Sequence, residues 1–200
     1  MSVTGNDGAA GATVARGAER QARILDAVLA ILARNGIAGV SMRAVAAEAG
    51  VALGLVNYHY TDKTSLIAAA LRQVEERDLA LVTPDPWLSA EARLRWSLRR
   101  VADPEFLTVA YLSLRLQLWS LAQVNEEFAQ INSQAHARYR AGLAALIHEA
   151  RPELTAEACE LRATEIDILQ NGLWLTSLLG LDEALVARMV EQTERLAFAG

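Results

Sequence analysis

A chain of 200 residues, 52% hydrophobic with 4 prolines and a single cysteine, has enough apolar side chain for one or two domains with a buried core. That balance excludes a disulfide scaffold and a disordered polymer. The net charge of −5 argues against a broadly basic nucleic-acid coat, but it is unevenly placed: residues 1–65 carry net +1 and residues 66–200 net −6.

In chain order, residues 1–17 are rich in Gly, Ala, Ser and Thr without periodicity, and a disordered tail is expected there. Helix one is predicted over 18–35, with Ile24, Val28, Ile31 and Leu32 on one face. Ser41 can cap a second, short helix whose apolar face is Met42, Val45, Ala46 and Ala49. Gly50 stops it where a left-handed residue is wanted, and Val51 can drop into the core. A third helix, 52–60, is too short for a packing element and ends in Asn57, Tyr58 and His59, all able to hydrogen-bond. Two short helices across a glycine turn make a helix-turn-helix, whose second helix enters the DNA major groove.

Asp62 is placed to cap helix four, 62–82, which the sequence Thr83-Pro84-Asp85-Pro86 ends. Helix five is expected over 90–102, and Asp103-Pro104 opens helix six, reaching about Gln123. Asn125 starts helix seven, to about Ala150, with the seam Phe128, Ile131, Ala135, Tyr139, Gly142 and Leu146. Pro152 and Thr155 introduce helix eight, 156–179, which Gly180 ends, and Asp182 caps helix nine, to about Phe198. The expected fold is therefore all-α with about nine helices. Its three parts are a tail (1–17), a three-helix helix-turn-helix DNA-binding domain (18–65) and a larger helical domain (66–200).

The residues Ala46, Glu48-Ala49-Gly50-Val51, Gly54, Val56, Tyr58-His59-Tyr60, Lys63 and Leu66, with Arg23-Ile24-Leu25-Asp26-Ala27 and Gly36 ahead of them, resemble the signature of TetR-type transcriptional regulators. The resemblance covers about residues 20–70. The chain departs from the pattern at Asn57, where an aromatic residue is commoner, and at Leu53 and Leu55, where polar or small residues are. The segment Asp167-Ile168-Leu169-Gln170-Asn171-Gly172-Leu173-Trp174-Leu175 also looks like the helix-eight motif of the choline-regulator (BetI-like) branch, more weakly. The resemblance implies a homodimeric repressor that leaves a palindromic operator when a small-molecule effector binds. A helical ligand- or protein-binding module without operator binding is the alternative.

By that resemblance Tyr58, His59 and Lys63 contact phosphate, while Tyr60 is the packing aromatic. Ser41 can both cap its helix and offer the helix N-terminus to phosphate, and Arg43 could reach phosphate or a base edge. Ala52, Leu53, Gly54, Leu55 and Asn57 complete the candidate DNA-contact set. Arg16 and Arg20 could form a basic arm, with a solvated tail as the other reading. The lysine at 63 is the only one in the chain, a bias of composition.

In the larger domain Tyr111, Arg115 and Trp119 lie at i, i+4 and i+8, and Asn132, His136, Asn171 and Trp174 join them as candidate effector-binding residues. The competing reading makes the aromatics core and pairs Arg115 with a carboxylate such as Glu165 or Asp167. Helix eight is apolar nearly all round: Ile166, Ile168, Leu169, Leu173, Trp174, Leu175, Leu178 and Leu179. With Leu185, Val186, Met189 and Val190 of helix nine it is expected to form a twofold four-helix bundle, the dimer interface being Leu175, Leu178, Leu179, Leu185, Val186, Met189 and Val190. A fully buried central helix in a monomer is the competing reading.

No enzyme is expected. His59, His136 and His148 lack a metal-ligand companion, Cys159 lacks a nearby base, and no Gly-rich phosphate loop or nucleophile turn occurs, so neither metal nor cofactor is called for. The apolar run 107–124 is broken by Arg115 and Gln117, and residues 1–16 hold no apolar segment, so neither membrane span nor secretory signal is expected and the location is read as cytoplasmic.

Overall fold

The computed structural model describes residues 7–180 and 182–199, the side chains of residues 7–16 and 183 excepted. The described residues form nine α-helices and no strand: α1 (Asp7–Gly39), α2 (Met42–Ala49), α3 (Leu53–His59), α4 (Lys63–Leu79), α5 (Ala90–Arg100), α6 (Val109–Leu121), α7 (Glu126–Ala150), α8 (Ala156–Ser177) and α9 (Glu183–Phe198). The chain divides into two units after Ala70, inside α4 rather than at its start.

Three boundaries differ from expectation. Helix α1 begins at Asp7, so residues 7–17 continue the helix instead of forming a structureless tail; alanines at 9, 10, 12 and 15 favour that conformation. Residues 1–6 of the expected tail lie outside the described residues. The regular part of α1 breaks at Gly36, whose φ is 62°. Helix α4 gives way to a 3-10 turn over Ala80–Val82. Helix α6 begins at Val109 and not at Pro104, because Pro104–Phe106 is a separate 3-10 turn that delivers Phe106 into the core, and Thr108 takes over the cap by accepting from Tyr111 N at 3.2 Å.

In the first unit Ile24, Val28, Leu32, Val45, Val56 and Leu66 bury one core between the helices. Ser41 caps α2 by accepting from Ala44 N at 3.1 Å. Gly50 closes it in the left-handed region (φ 64°), with Val51 N donating to Ala46 O at 3.0 Å as in a Schellman motif; Val51 itself is half-buried. A side chain at 50 would be strained and would also crowd the Arg23 guanidinium, which donates to Ala49 O at 2.6 Å. Gly50→Ala is therefore expected to cost about 1–2 kcal/mol, as an L-residue pays in that region. Urea denaturation followed by circular dichroism reads this directly, and an unchanged midpoint would refute it.

The second unit packs α5, α7, α8 and α9 around Leu94, Leu98, Phe106, Leu143, Ile147, Ile166 and Trp174. Polar groups drawn inside are tied to the backbone: Ser97 Oγ donates to Leu81 O, and Trp174 Nε1 donates to Val101 O at 2.9 Å. Phe106, Tyr111 and Trp174 form an aromatic cluster with ring centroids 5.3–6.4 Å apart.

Candidate functional site

The first candidate site is one face of α3. Val56 and Tyr60 point into the core, whereas Gly54, Asn57 and Tyr58 are exposed, Tyr58 by 82%. Those outward positions recur at i, i+3 and i+4, so the face is small and polar by helical geometry. Tyr60 is buried as the packing aromatic, and its hydroxyl, raised in pKa by burial, receives Gln21 Nε2 at 3.4 Å. Ala52 at the N-cap is exposed and makes no side-chain cap bond, while Leu53, Leu55 and His59 are half-buried. Ser41 and Arg43 are exposed at the start of α2.

The approach to α4 is fixed by Asp62, whose Oδ1 accepts from Ser65 N at 2.8 Å, a bond that lowers its carboxyl pKa. The next residue, Lys63, is half-buried and donates from Nζ to Ile37 O at 2.6 Å. The lysine thus closes the chain after the Gly36 break, a role the sequence did not disclose, with two further N–H donors on the same ammonium. Arg20 is exposed, and the side chain of Arg16 lies outside the described residues.

The second candidate site is a cavity of about 50 Å³ within the second unit, lined from α4, α6, α7 and α8. Five of the seven expected residues line it: Arg115, Trp119, Asn132, His136 and Trp174. The other two stand behind the wall. The Tyr111 hydroxyl donates to Asp78 Oδ1, and Asn171 Nδ2 donates to Asp167 Oδ1 at 2.8 Å.

Arg115 does not pair with Glu165 or Asp167. Its Nη1 donates to Asp78 Oδ2, because α4 rather than α8 presents the carboxylate that reaches this buried guanidinium. Burial works against the charge of Arg115, yet Asp78 and the Tyr111 hydroxyl more than offset it and its pKa stays raised. Asp167 instead collects Arg140 Nη1 at 3.3 Å and His136 Nδ1 at 3.5 Å. Tyr139, buried and raised in pKa by that burial, donates to Gln170 Oε1 at 2.6 Å. Trp174 combines both readings of the aromatics: it lines the cavity and is also a core residue, 5% exposed.

Comparison with known proteins finds a match in each unit. Residues 24–80 match the family model for bacterial regulatory proteins of the tetR family, and residues 90–197 match that for the C-terminal part of BetI-type transcriptional repressors. The second match alone covers more than half of the chain. The chain belongs to the TetR family. It is a transcriptional regulator of the BetI-like kind and not an enzyme.

Among curated TetR-family relatives, the HTH-type transcriptional regulator BetI of Paraburkholderia xenovorans is 29% identical over 160 residues, covering 78% of this chain and 80% of its own. The Cronobacter sakazakii BetI is 27% identical, with 80% of each chain covered. A candidate transcriptional regulator from Pseudomonas aeruginosa superposes with a TM-score of 0.77 at 30% identity, covering 89% of this chain and 88% of the other. At 22% identity and a TM-score of 0.69, a candidate regulator from Saccharomonospora viridis solved in complex with choline shares the fold, with 91% of this chain and 97% of that one covered.

The TetR-family chain also carries an apolar stripe on the outside of α8 and of the turn that follows it. Leu161, Ile168, Leu175 and Leu179 are 60%, 65%, 42% and 80% exposed, at spacings of seven, seven and four residues. Helix eight is therefore not apolar toward its own core on every side: Ile166, Leu173 and Trp174 point inward and the stripe outward. Leu185 on α9 is exposed too, but Leu178, Val186 and Met189 pack half-buried against the protomer's own core, and Val190 is half-buried. Sequence reasoning missed Leu161 and Ile168 for this face, and Glu75 and Asp78 for the cavity. Both omissions had a signal: 161, 168 and 175 repeat every seven residues, and 71, 74, 75 and 78 share one face of a helix. Among the described residues no helix is long and apolar enough to cross a membrane, and no cluster of metal-binding side chains occurs.

Proposed function

We propose that this regulator is a homodimeric repressor whose two α3 helices enter adjacent major grooves of a palindromic operator, and that a small molecule in the second-unit cavity releases it. The observation that carries the reading is the division of α3 into a face locked in the core by Val56 and Tyr60 and an exposed face of Gly54, Asn57 and Tyr58. A helix positioned that way meets base edges with little loss of side-chain freedom. Repression is supported by the BetI-type repressor model that the C-terminal part matches.

Dimerisation supplies what a net charge of +1 over residues 1–65 cannot, since two weakly attracting units bind one palindrome as a pair. The stripe on α8 offers the surface for it. Helix α4 carries Lys63 at its start and Leu71, Val74, Glu75 and Asp78 in the cavity wall. An effector that favours one placement of α4 would bind the operator-free and operator-bound states differently, which is what coupling requires.

A gel shift with the DNA upstream of the regulator's own gene tests the reading; unretarded DNA at micromolar protein would leave a helical binding module instead. Lys63→Ala is expected to weaken operator binding almost equally across operator variants. It should also flatten the plot of log affinity against log salt by about 0.9 for each phosphate that the variant no longer neutralises. An unchanged salt slope would confine Lys63 to its bond with Ile37, and a fall in melting temperature without a change of slope would say the same.

A further inference from the structure

Within the cavity the carboxylates are not equally provided for. Asp78 takes Arg115 and the Tyr111 hydroxyl, and Asp167 takes Arg140, His136 and Asn171. Glu75, which also lines the cavity, is left over: its Oε1 is buried and has no hydrogen-bond partner. The two arginines whose charge reaches it are committed elsewhere, Arg72 to Glu127 at 3.3 Å and Arg138 to Glu76 at 3.2 Å. Burial pushes the Glu75 carboxyl up in pKa, Arg138 and Arg72 pull it down, and Glu76 and Asp78 push it up again. Asp78 and Asp167 each have cationic partners within the site, whereas Glu75 Oε1 has no donor.

The aromatic faces tell the opposite story, since a cation already occupies them. The Arg115 guanidinium lies 4.0 Å from the Trp174 ring centroid, 5.8 Å from that of Trp119 and 5.9 Å from that of Tyr111. Arg77 lies 5.1 Å from the Tyr111 ring. At such distances a guanidinium already engages one face of each ring. The head group of a quaternary ammonium has no N–H and so cannot itself donate to Glu75.

We propose that the cavity takes a small organic cation bearing at least one N–H, which donates to Glu75, in preference to a quaternary ammonium. The proposal rests on the reading of the cavity as the effector site.

Calorimetric titration of the full-length regulator with 2-aminoethanol, its N,N-dimethyl derivative and choline varies the N–H while the charge stays fixed. The two N–H amines are expected to bind at least about tenfold more tightly than choline, the worth of one charged hydrogen bond. Glu75→Gln should erase that difference by weakening the amines alone. Glutamine keeps the shape of the carboxyl group without its charge, and the melting temperature of the unliganded variant shows that it folds. Choline binding as tightly as the amines, amine affinity unmoved by Glu75→Gln, or no binding of any of the three at millimolar concentration would each overturn the proposal. Trp119→Ala separates this failure from that of the cavity itself. Choline lost on Trp119→Ala but indifferent to Glu75→Gln would refute the N–H requirement and keep the effector site. Binding indifferent to both variants would refute the two together.

Discussion

Asp78→Ala is expected to lower the stability of the regulator by about 3–5 kcal/mol, the cost of stranding a buried charge. Arg115 is 7% exposed and its guanidinium is held against α4 by Asp78. Removing that carboxylate also takes the acceptor from the Tyr111 hydroxyl, which lies in the same aromatic cluster as Phe106 and Trp174. The double variant Asp78→Ala with Arg115→Met should recover much of the loss, because an apolar side chain in that place leaves no charge without a partner. Urea titrations of the two single variants and the double variant give the coupling. A single variant within about 1 kcal/mol of the parent, the worth of an exposed pair, would mean that water reaches Arg115.

The second large effect concerns assembly. Leu175→Glu or Leu179→Glu should convert the proposed dimer to a folded monomer. In the protomer both side chains are already exposed, so a carboxylate there costs the fold little. In a twofold interface it would be buried without a partner. Operator affinity should then fall by about 10²–10⁴-fold, the advantage of paired binding. Sedimentation equilibrium gives the mass and circular dichroism the fold. A wild type that sediments as a monomer at micromolar concentration would refute the interface, and a variant that unfolds would show that the stripe belongs to the core.

Local rules that act over a few residues were legible in the chain. The caps at Ser41, Asn125, Thr155 and Asp182 stand where the pattern of acceptor before apolar periodicity puts them, and Gly50 takes the left-handed turn. The inward Tyr60 and outward Tyr58 followed the same way, Tyr58 on the exposed face of α3 and Tyr60 at its C-cap, turned into the core. Where local rules competed, they misled. Asp103-Pro104 is a sound helix start, but the burial of Phe106 bends the chain again before α6 begins at Val109.

The cavity shows where sequence alone stops. Its polar residues Arg115, Asn132 and His136 were visible as exceptions on apolar helices, because a polar side chain breaks the periodicity around it. Their partners were not. Arg115 and Asp78 are 37 residues apart and meet only because α4 and α6 are both packed in the second unit. Lys63 and Ile37 meet for the same reason in the first. A sequence determines which helices form and which faces they must bury, since those follow from spacings of three and four residues. Which charge neutralises which, and which carboxylate is left without a partner, is decided only when helices distant in the chain are packed. Electrostatic pairing depends on a few ångströms across the packed core, and no periodicity encodes that distance.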